Sequence, residues 1–280
     1  MGKKRKYDSK EAGLAVSLIM GKYFLKAEDL HYGYWTEDME LDISNMVKAQ
    51  AKYSEQLISH IPEGVKTILD VGGGAGMTTK RLLEKGYKVD CLTPSPDLAA
   101  AARKNIGKGS DVFETKFEDL KTDKKYDLIL FSESFQYIPT RYSIPKSLKI
   151  LNKNGYILIS DFFKTGAPGQ KSALSGGHTL SKFLEFIEDF PLELIKDVDI
   201  TDFTAPNMDI VNGFIIQVAQ PMWNIIFKYF DMNYPKGFKV LKKIYRKKIE
   251  KTEKKFFAGR LNGEQFKIHK TYRIMLYKGQ

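Results

Sequence analysis

The stretch Thr67-Ile68-Leu69-Asp70-Val71-Gly72-Gly73-Gly74-Ala75-Gly76-Met77 decides the fold of this chain. Its apolar start, Ile68 to Val71, predicts a short buried strand, and the glycines that follow predict a tight turn. Residues 78–84 then predict the start of a helix. Glycines let the backbone approach a ligand closely, and a helix N-terminus directs N–H groups towards it. The stretch therefore predicts a nucleotide-binding strand–turn–helix unit.

The composition sets the broad class of protein. The 280 residues suit one large domain, or one domain with an added cap, and 42% hydrophobic residues are too many for a disordered chain. The single cysteine, Cys91, cannot form an internal disulfide, so we interpret it as a small buried hydrophobe and expect a reducing, cytoplasmic location. No secretion signal is convincing, and no uninterrupted apolar run reaches about 18 residues, so the sequence predicts no transmembrane helix.

The net charge of +11 is concentrated in one segment. Residues 236–260 contain eleven Lys and Arg against two acids, Glu250 and Glu253, which gives a local charge of +9. Three interpretations of this basic helix are open: a solvated helix face, a surface for an anionic membrane or a phosphorylated substrate, and an RNA-binding surface. RNA is the least favoured partner, because no recognised RNA-binding module accompanies the segment.

Strands and helices alternate after the glycine turn. We predict strands at 68–71, 88–92, 111–115, 126–131, 155–162, 192–200 and 270–277. Near-continuous apolar strands separated by helices indicate a parallel sheet that is covered on both faces. Ligands bind such sheets beyond the carboxyl ends of the strands, so the residues that follow each strand are the candidates for a site.

Four motifs stand beside these predicted strands. They are Asp70-x-Gly72-x-Gly74-x-Gly76, Phe117-Glu118-Asp119-Leu120, the run Phe131 to Ile138, and the run Leu151 to Gly155. A dinucleotide site is less well supported, because the glycine spacing is G-x-G-x-G and not G-x-G-x-x-G. Thr93 also stands where an acid would hold the ribose of NAD.

Together these motifs resemble the class I S-adenosylmethionine-dependent methyltransferases over residues 45–162. Thr93-Pro94-Ser95 and the aromatic stretch 31–35 are similar to the branch with cyclopropane fatty acid synthases and tocopherol or sterol C-methyltransferases. Cyclopropane synthases carry a Glu-His pair after the fourth strand that helps hold a bicarbonate, where this chain has Gln136-Tyr137. Gln cannot serve as a base, so the expected reaction is plain methyl transfer.

The resemblance also implies the fold and the domain organisation. The expected fold class is α/β, with a Rossmann-like, seven-stranded, mostly parallel sheet, helices on both faces and a helical cap. We divide the chain into an N-terminal helical and aromatic lid (1–44), an S-adenosylmethionine-binding core (45–162), a substrate cap with the basic helix (163–262) and a final strand (263–280). Within the lid, the aromatic stretch 30–35 either folds over a ligand or covers the core.

The glycine turn is expected to hold the methionine part of S-adenosylmethionine. In the pattern of the family, Gly72, Gly74 and Gly76 pass under that part of the cofactor. Asp70 orders the loop and does not contact the ligand in this interpretation.

The ends of the second, third and fourth strands are expected to hold the rest of the cofactor. The resemblance implies that Thr93 and Pro94 flank the ribose and adenine. Phe117 would stack on the adenine, and Glu118 would accept a hydrogen bond from its amino group or be an ordinary exposed acid. Ser132 would face the sulfonium.

The acceptor must be aligned with the methyl group and, where needed, lose a proton. The candidate polar side chains are His31, Tyr32, Tyr34, Tyr137 and His178. Of these we expect His178, Tyr137 and Tyr32 to be catalytic, because His178 follows the fifth strand and histidine exchanges protons near neutral pH. The alternative for His178 is a solvent-exposed loop residue. One Cys and four scattered His predict no metal site.

The apolar, aromatic composition of the cap favours a small hydrophobic or aromatic acceptor of the lipid, terpenoid or polyketide type. The sequence thus predicts a methyltransferase for such a metabolite. Two alternatives are open: a catalytically silent methyltransferase fold that serves as a binding or membrane-associated regulatory module, and an RNA methyltransferase.

Overall fold

The computed structural model describes residues 9–167 and 176–280 of the chain. Its helices are α1 (Ser9–Met20), α2 (Met46–Ser59), α3 (Met77–Glu84), α4 (Pro96–Ile106), α5 (Thr140–Ile150), α6 (Leu180–Ile187), α7 (Thr201–Thr204), α8 (Pro206–Phe214), α9 (Gln220–Asn233), α10 (Pro235–Phe256) and α11 (Gly263–His269). Its strands are β1 (Thr67–Val71), β2 (Lys88–Leu92), β3 (Val112–Phe113), β4 (Tyr126–Ser132), β5 (Leu151–Lys164), β6 (Leu192–Asp199) and β7 (Lys270–Gly279). Most of the predicted loop 164–177 lies outside the described residues.

The seven strands form one sheet in the order β3-β2-β1-β4-β5-β7-β6. β1 pairs in parallel with β2 and β4, and β4 pairs in parallel with β5. β7 is antiparallel to both of its neighbours, β5 and β6. The predicted α/β fold with a mostly parallel sheet is therefore confirmed. The chain moves outward from β1 to β3 and then returns to β4, so a crevice for a ligand opens between the ends of β1 and β4.

Both faces of the central strands β1 and β4 are buried, which explains why these strands are largely apolar. Ile68 and Leu128 pack into the cluster on one face, with Tyr53 of α2. Leu69 and Ile129 pack into the cluster on the other face. Successive side chains point to opposite sides of a strand, so a strand covered on both faces needs apolar residues at every position.

Three elements differ from the sequence-based prediction. β3 has two residues where five were predicted, because this edge strand pairs only with β2. β5 runs to Lys164, because β7 continues its pairing as far as Lys270. Helix α11 was not predicted, although Asn262 caps it by accepting a hydrogen bond from the backbone N–H of Gln265. Asn followed three residues later by Gln is a helix-start signal that could have revealed it.

The aromatic stretch of the lid lies between α2 and the start of the cap. The backbone N–H of Tyr34 donates to the carbonyl of Ala49, and that of Trp35 donates to Phe203, both at 2.8 Å. The Tyr34 ring stacks on Phe203 with centroids 4.4 Å apart. Tyr34 and Trp35 are buried, so this part of the stretch covers the core.

A nearly continuous helical run from Thr201 to Asn233 leads into a helical hairpin with α10. It is the one helix in the described ranges that is long and apolar enough to cross a membrane, judged by length and composition alone. The sequence criterion missed it because polar residues such as Asn212 and Gln217 interrupt the apolar run. Trp223 of α9 lies 5.9 Å from Phe257, which directly follows α10, measured between ring centroids.

Candidate active site

A cavity of about 600 Å³ lies at the carboxyl ends of β1, β2 and β4. Ligand pockets commonly span about 300–1,000 Å³, so this volume suits a cofactor with a small partner. Its walls are the glycine turn, the residues after β2, β3 and β4, and a stretch of the lid around Leu30. Among the described residues, none beyond Ile138 lines it, so the cap from 163 onward does not contribute to this wall.

The structure brings most of the predicted site residues together. Eight of them line this single cavity: Gly72, Gly74, Thr93, Pro94, Phe117, Glu118, Ser132 and Tyr137. Gly76, Tyr32 and His178 are not part of its lining. The sequence positions after four separate strands therefore converge because parallel strands end at the same edge of the sheet.

The glycine turn is shaped by close backbone contacts. Gly72 has a φ of +79°, and a Cβ atom there would lie 2.3 Å from the Cβ of Ser134. Its N–H donates to the carbonyl of Leu92 at 2.7 Å, which joins the turn to the end of β2. Gly76 has a φ of +83° and precedes α3, and a Cβ there would come within 2.9 Å of Ile106. The packing of α3 against α4 therefore explains Gly76 without a ligand.

Asp70 supplies an unpartnered carboxylate oxygen to this cavity. Thr79 Oγ1 donates to Asp70 Oδ2 at 2.7 Å, whereas Oδ1 has no hydrogen-bond partner in the described structure. Burial raises the pKa of Asp70 to about 6. A buried carboxylate oxygen of this kind lacks a donor that a bound ligand can supply.

The cavity fits the amino, adenine and sulfonium groups of S-adenosylmethionine. Asp70 can accept from an ammonium group, and the half-buried Glu118, which also lines the cavity, can accept from an exocyclic amine. Phe117 is buried edge-on against Phe131, with centroids 5.5 Å apart, and lines the same cavity. These residues would hold the cofactor at its two amino groups and at its flat ring.

Glu133 is a second carboxylate in the cavity wall, directly after β4. Its backbone is left-handed, with a φ of +54°, a conformation that costs a non-glycine residue about 1–2 kcal/mol. Its Oε1 accepts from the N–H of Tyr32 at 2.7 Å and from the hydroxyl of Tyr272 at 2.8 Å. Burial raises its pKa, although the nearby charge of His31 opposes this. Strained residues of this kind are concentrated at functional sites.

A chain of hydroxyl groups extends from Glu133 into the core. The Tyr272 hydroxyl that donates to Glu133 lies 2.9 Å from the hydroxyl of Tyr53. The same Tyr53 hydroxyl is 2.7 Å from Ser160 Oγ and 3.2 Å from Ser132 Oγ. The hydrogen bonds from Tyr32 and Tyr272 both end on Oε1 of Glu133. The network therefore holds this oxygen in place on a side chain that lines the cavity.

An ion-pair cluster attaches the lid to the core beside the cavity. Asp29 lies between Arg81 of α3, at 2.5 Å, and His31, at 3.1 Å. His31 Nδ1 is 2.9 Å from the carbonyl of Tyr32, so both ring nitrogens face acceptors and both must donate. Burial lowers the pKa of His31, but the hydrogen bond and charge of Asp29 outweigh it, and the net shift is upward. The acceptors beside both ring nitrogens therefore favour the imidazolium form of His31.

This cluster predicts that the lid loosens as the pH rises. The pKa of His31 is raised in the folded protein above its usual value of about 6.5, so its contribution is complete below that pH and is lost as the pH passes the folded value. We expect His31→Gln to lower the free energy of unfolding by about 1.5–3 kcal/mol at acidic pH and by less at alkaline pH. Thermal unfolding of both proteins across the pH range measures this difference. In an Asp29→Asn background, the effect of His31→Gln on the free energy of unfolding should no longer depend on pH. If His31→Gln alone lowered the free energy of unfolding equally at every pH, the ion pair between His31 and Asp29 would be contradicted.

Two of the predicted catalytic residues have structural partners outside the cavity. His178 Nε2 lies 3.0 Å from the carbonyls of both Phe135 and Ile138, so the ring ties the segment after β5 to the turn after β4. The Tyr32 hydroxyl lies 3.3 Å from Met208 Sδ, and burial raises its pKa. Tyr137 is exposed at the cavity rim.

Two wall residues, Glu133 and Asp29, were not predicted from the sequence. Glu133 lies in the run after the fourth strand, and its position beside Ser132 was the available signal. Asp29 had no such signal, because its partner Arg81 lies 52 residues away in the chain. In the described part of the chain, no group of three His, Cys, Asp or Glu residues is arranged to hold a metal ion.

Known proteins are similar to this chain over the residues that form the cavity wall. Residues 69–157 match the model of a methyltransferase domain family. The ubiquinone biosynthesis O-methyltransferase of Rickettsia felis is 25% identical over 240 residues, which cover 78% of this chain and 93% of that protein.

Two solved structures share the fold. A geranyl diphosphate C-methyltransferase from Streptomyces coelicolor, solved with Mg²⁺, geranyl diphosphate and S-adenosyl-L-homocysteine, has a TM-score of 0.67 at 14% identity and covers 99% of both chains. A cyclopropane synthase from Mycobacterium tuberculosis has a TM-score of 0.62 at 15% identity and covers 90% of both chains.

The family match covers the glycine turn and the ends of β1 to β4, which are the elements that build the cavity wall. It favours an enzyme over a catalytically silent module. Residues 69–157 are accordingly a methyltransferase domain, and the chain is an S-adenosylmethionine-dependent enzyme with the fold of the class I methyltransferases.

Proposed function

We propose that this enzyme methylates a hydroxyl group on a small hydrophobic or aromatic acceptor of the lipid type. The observation that carries the proposal is Glu133, a carboxylate with a raised pKa in the wall of the cavity. A hydroxyl acceptor must lose a proton as it is methylated, and a carboxylate held by fixed donors can take it.

The bound cofactor would supply an electrophilic methyl group on a sulfonium. Glu133 would receive the acceptor proton at Oε2, while Tyr272 and the N–H of Tyr32 hold Oε1 in place. Its raised pKa brings the carboxylate closer to the pH at which a general base works best. The lid stretch around His31 would exclude water from this side of the cavity.

The remaining wall favours an apolar acceptor. Leu14, Leu30, Leu98 and Ile138 line the cavity together with the exposed ring of Tyr137. Such a wall binds a ring or a short isoprenoid chain by burial of apolar surface, with a few polar groups to orient it. The relative from Rickettsia felis is named as an O-methyltransferase of ubiquinone biosynthesis, which supports an oxygen acceptor on a lipid-like molecule.

The test combines cofactor binding with an acceptor panel. We expect saturable binding of S-adenosylmethionine by calorimetry, and release of S-adenosylhomocysteine with phenols and catechols that carry apolar substituents. Matched acceptors in which the hydroxyl is replaced by a methoxy group or by hydrogen serve as controls and should give no product. Methylation of those controls, or of amines in preference to hydroxyls, would refute oxygen transfer.

A further inference from the structure

The helical hairpin of α8, α9 and α10, residues 206–256, carries an apolar stripe on its surface. Six exposed side chains follow one another at intervals of three or four residues: Val211, Phe214, Val218, Met222, Ile225 and Tyr229. Residues at this spacing lie on one face of a helix. A contiguous exposed apolar surface of this kind marks an interaction site.

The stripe is not needed to hold the hairpin together. The opposite face of α9 packs on α10, where the ring of Phe227 lies 5.2 Å from Phe238, measured between centroids. Trp223 Nε1 donates to Glu253 of α10 at 3.2 Å. The hairpin thus has its own aromatic core, and the stripe faces away from it.

Helix α10, on the other side of the aromatic core, adds positive charge and further exposed apolar side chains to the hairpin. It carries ten Lys and Arg and two acids, and it exposes the apolar pair Ile244 and Tyr245. Lys243, Lys247 and Lys251 are exposed at intervals of four residues, so they form a basic stripe along one side. The hairpin therefore combines exposed apolar side chains with a strong excess of lysine.

The combination of exposed apolar side chains and lysines can be compared with what each kind of partner would contact. A second copy of the chain would bring two strongly positive helices together, which like-charge repulsion opposes. RNA would satisfy the lysines but would leave the apolar stripe in water. An anionic bilayer accepts both, because apolar side chains enter the boundary below the headgroups while lysines meet the lipid phosphates. We propose that residues 206–256 dock the enzyme on an anionic membrane surface.

The hairpin lies on the membrane and does not cross it. The N-terminal end of the hairpin is attached to the lid. Asn207 accepts a hydrogen bond from the N–H of Gly33 and donates one to its carbonyl, both at 2.7 Å. Helix α9 is packed against α10, so the two helices move together. Each lysine or arginine of α10 at the bilayer centre would cost about 2.5–3.5 kcal/mol.

The test measures flotation of the full chain with vesicles of phosphatidylcholine, with and without phosphatidylglycerol. We expect binding only to the anionic vesicles, weakened by salt. The triple variant K243Q/K247Q/K251Q should reduce the affinity at least about tenfold, because a lysine at such a surface contributes about fivefold. Its control, K85Q/K108Q/K153Q, removes the same charge at exposed sites elsewhere and should bind as the unmodified protein does.

A second pair of variants tests the apolar stripe. M222Q/I225Q should also reduce vesicle affinity at least about tenfold, because two exposed apolar side chains would no longer enter the bilayer. Its control, I43Q/L194Q, changes two apolar residues of similar exposure on other elements and should have no effect. Calorimetry of cofactor binding checks that every variant is folded.

The docking does not depend on the proposed acceptor, since vesicle binding is read without turnover. Absence of binding to anionic vesicles would overturn it, as would equal losses in the variants and their controls. Salt-sensitive RNA binding without vesicle binding would assign the basic helix to nucleic acid. A dimer that is lost in M222Q/I225Q would assign the stripe to a second copy of the chain.

Discussion

Replacing Glu133 by Gln is expected to lower kcat by about a hundredfold to ten-thousandfold, the usual contribution of a general base. Gln keeps an oxygen that can accept from Tyr32 and Tyr272, so the fold and the Kd for S-adenosylmethionine should change little. Because the pKa of Glu133 is raised, the rate of the unmodified enzyme should increase with pH through that value, and this increase should be absent in the variant. Single-turnover methyl transfer across the pH range measures both effects.

Glu118→Gln is the matched control for this prediction. It makes the same chemical change in the same cavity, but at the residue expected to hold the adenine amino group. It should raise the Kd for the cofactor and leave kcat at saturation nearly unchanged. If both variants lost kcat equally with unchanged pH profiles, Glu133 would not be the proton acceptor.

Replacing Gly72 by Ala is expected to weaken cofactor binding by about a hundredfold or more. The new Cβ atom would stand 2.3 Å from Ser134 Cβ, so the turn must move, and a displacement near 1 Å can cost about a hundredfold at a site. The positive φ of +79° adds about 1–2 kcal/mol of backbone strain. Calorimetry with S-adenosylmethionine measures the affinity, and thermal unfolding measures the strain.

Gly64→Ala separates the two causes. Gly64 has a φ of +83°, but a Cβ there meets no atom within 4 Å. This control should lose stability by the strain alone and bind the cofactor normally. The double variant G72A/S134G, which removes the atom in contact, should recover part of the affinity. Equal cofactor affinity in the Gly72 and Gly64 variants would show that the close approach at the turn is unimportant.

The strand-end part of the cavity wall was predictable from the sequence because it depends on local pattern and on one rule of topology. A buried strand followed by glycines is recognisable in eleven residues, and parallel strands deliver their carboxyl ends to one edge. Thr93, Phe117 and Ser132 line one cavity for that reason, although they lie 39 residues apart in the sequence, from first to last.

The polar contacts that complete the site were not predictable in the same way. Tyr272 reaches Glu133 across 139 residues, and Asn207 reaches Gly33 across 174. Such contacts depend on how the lid and the cap pack on the core, and no period or spacing in the sequence encodes that packing. His178 shows the same limit, since nothing in its glycine-rich segment indicates that its ring lies against the backbone carbonyls of Phe135 and Ile138.

The position of β7 has a consequence for biosynthesis. This strand is made after β5 and β6, yet it inserts between them, and its Tyr272 donates to Glu133. Until residues 270–279 emerge from the ribosome, β5 and β6 have no partner between them, and their unpaired edges are open to aggregation. The proposed base is also without its tyrosine donor until then. Synthesis of β7 therefore supplies the missing partner of β5 and β6 and the donor of the proposed base together.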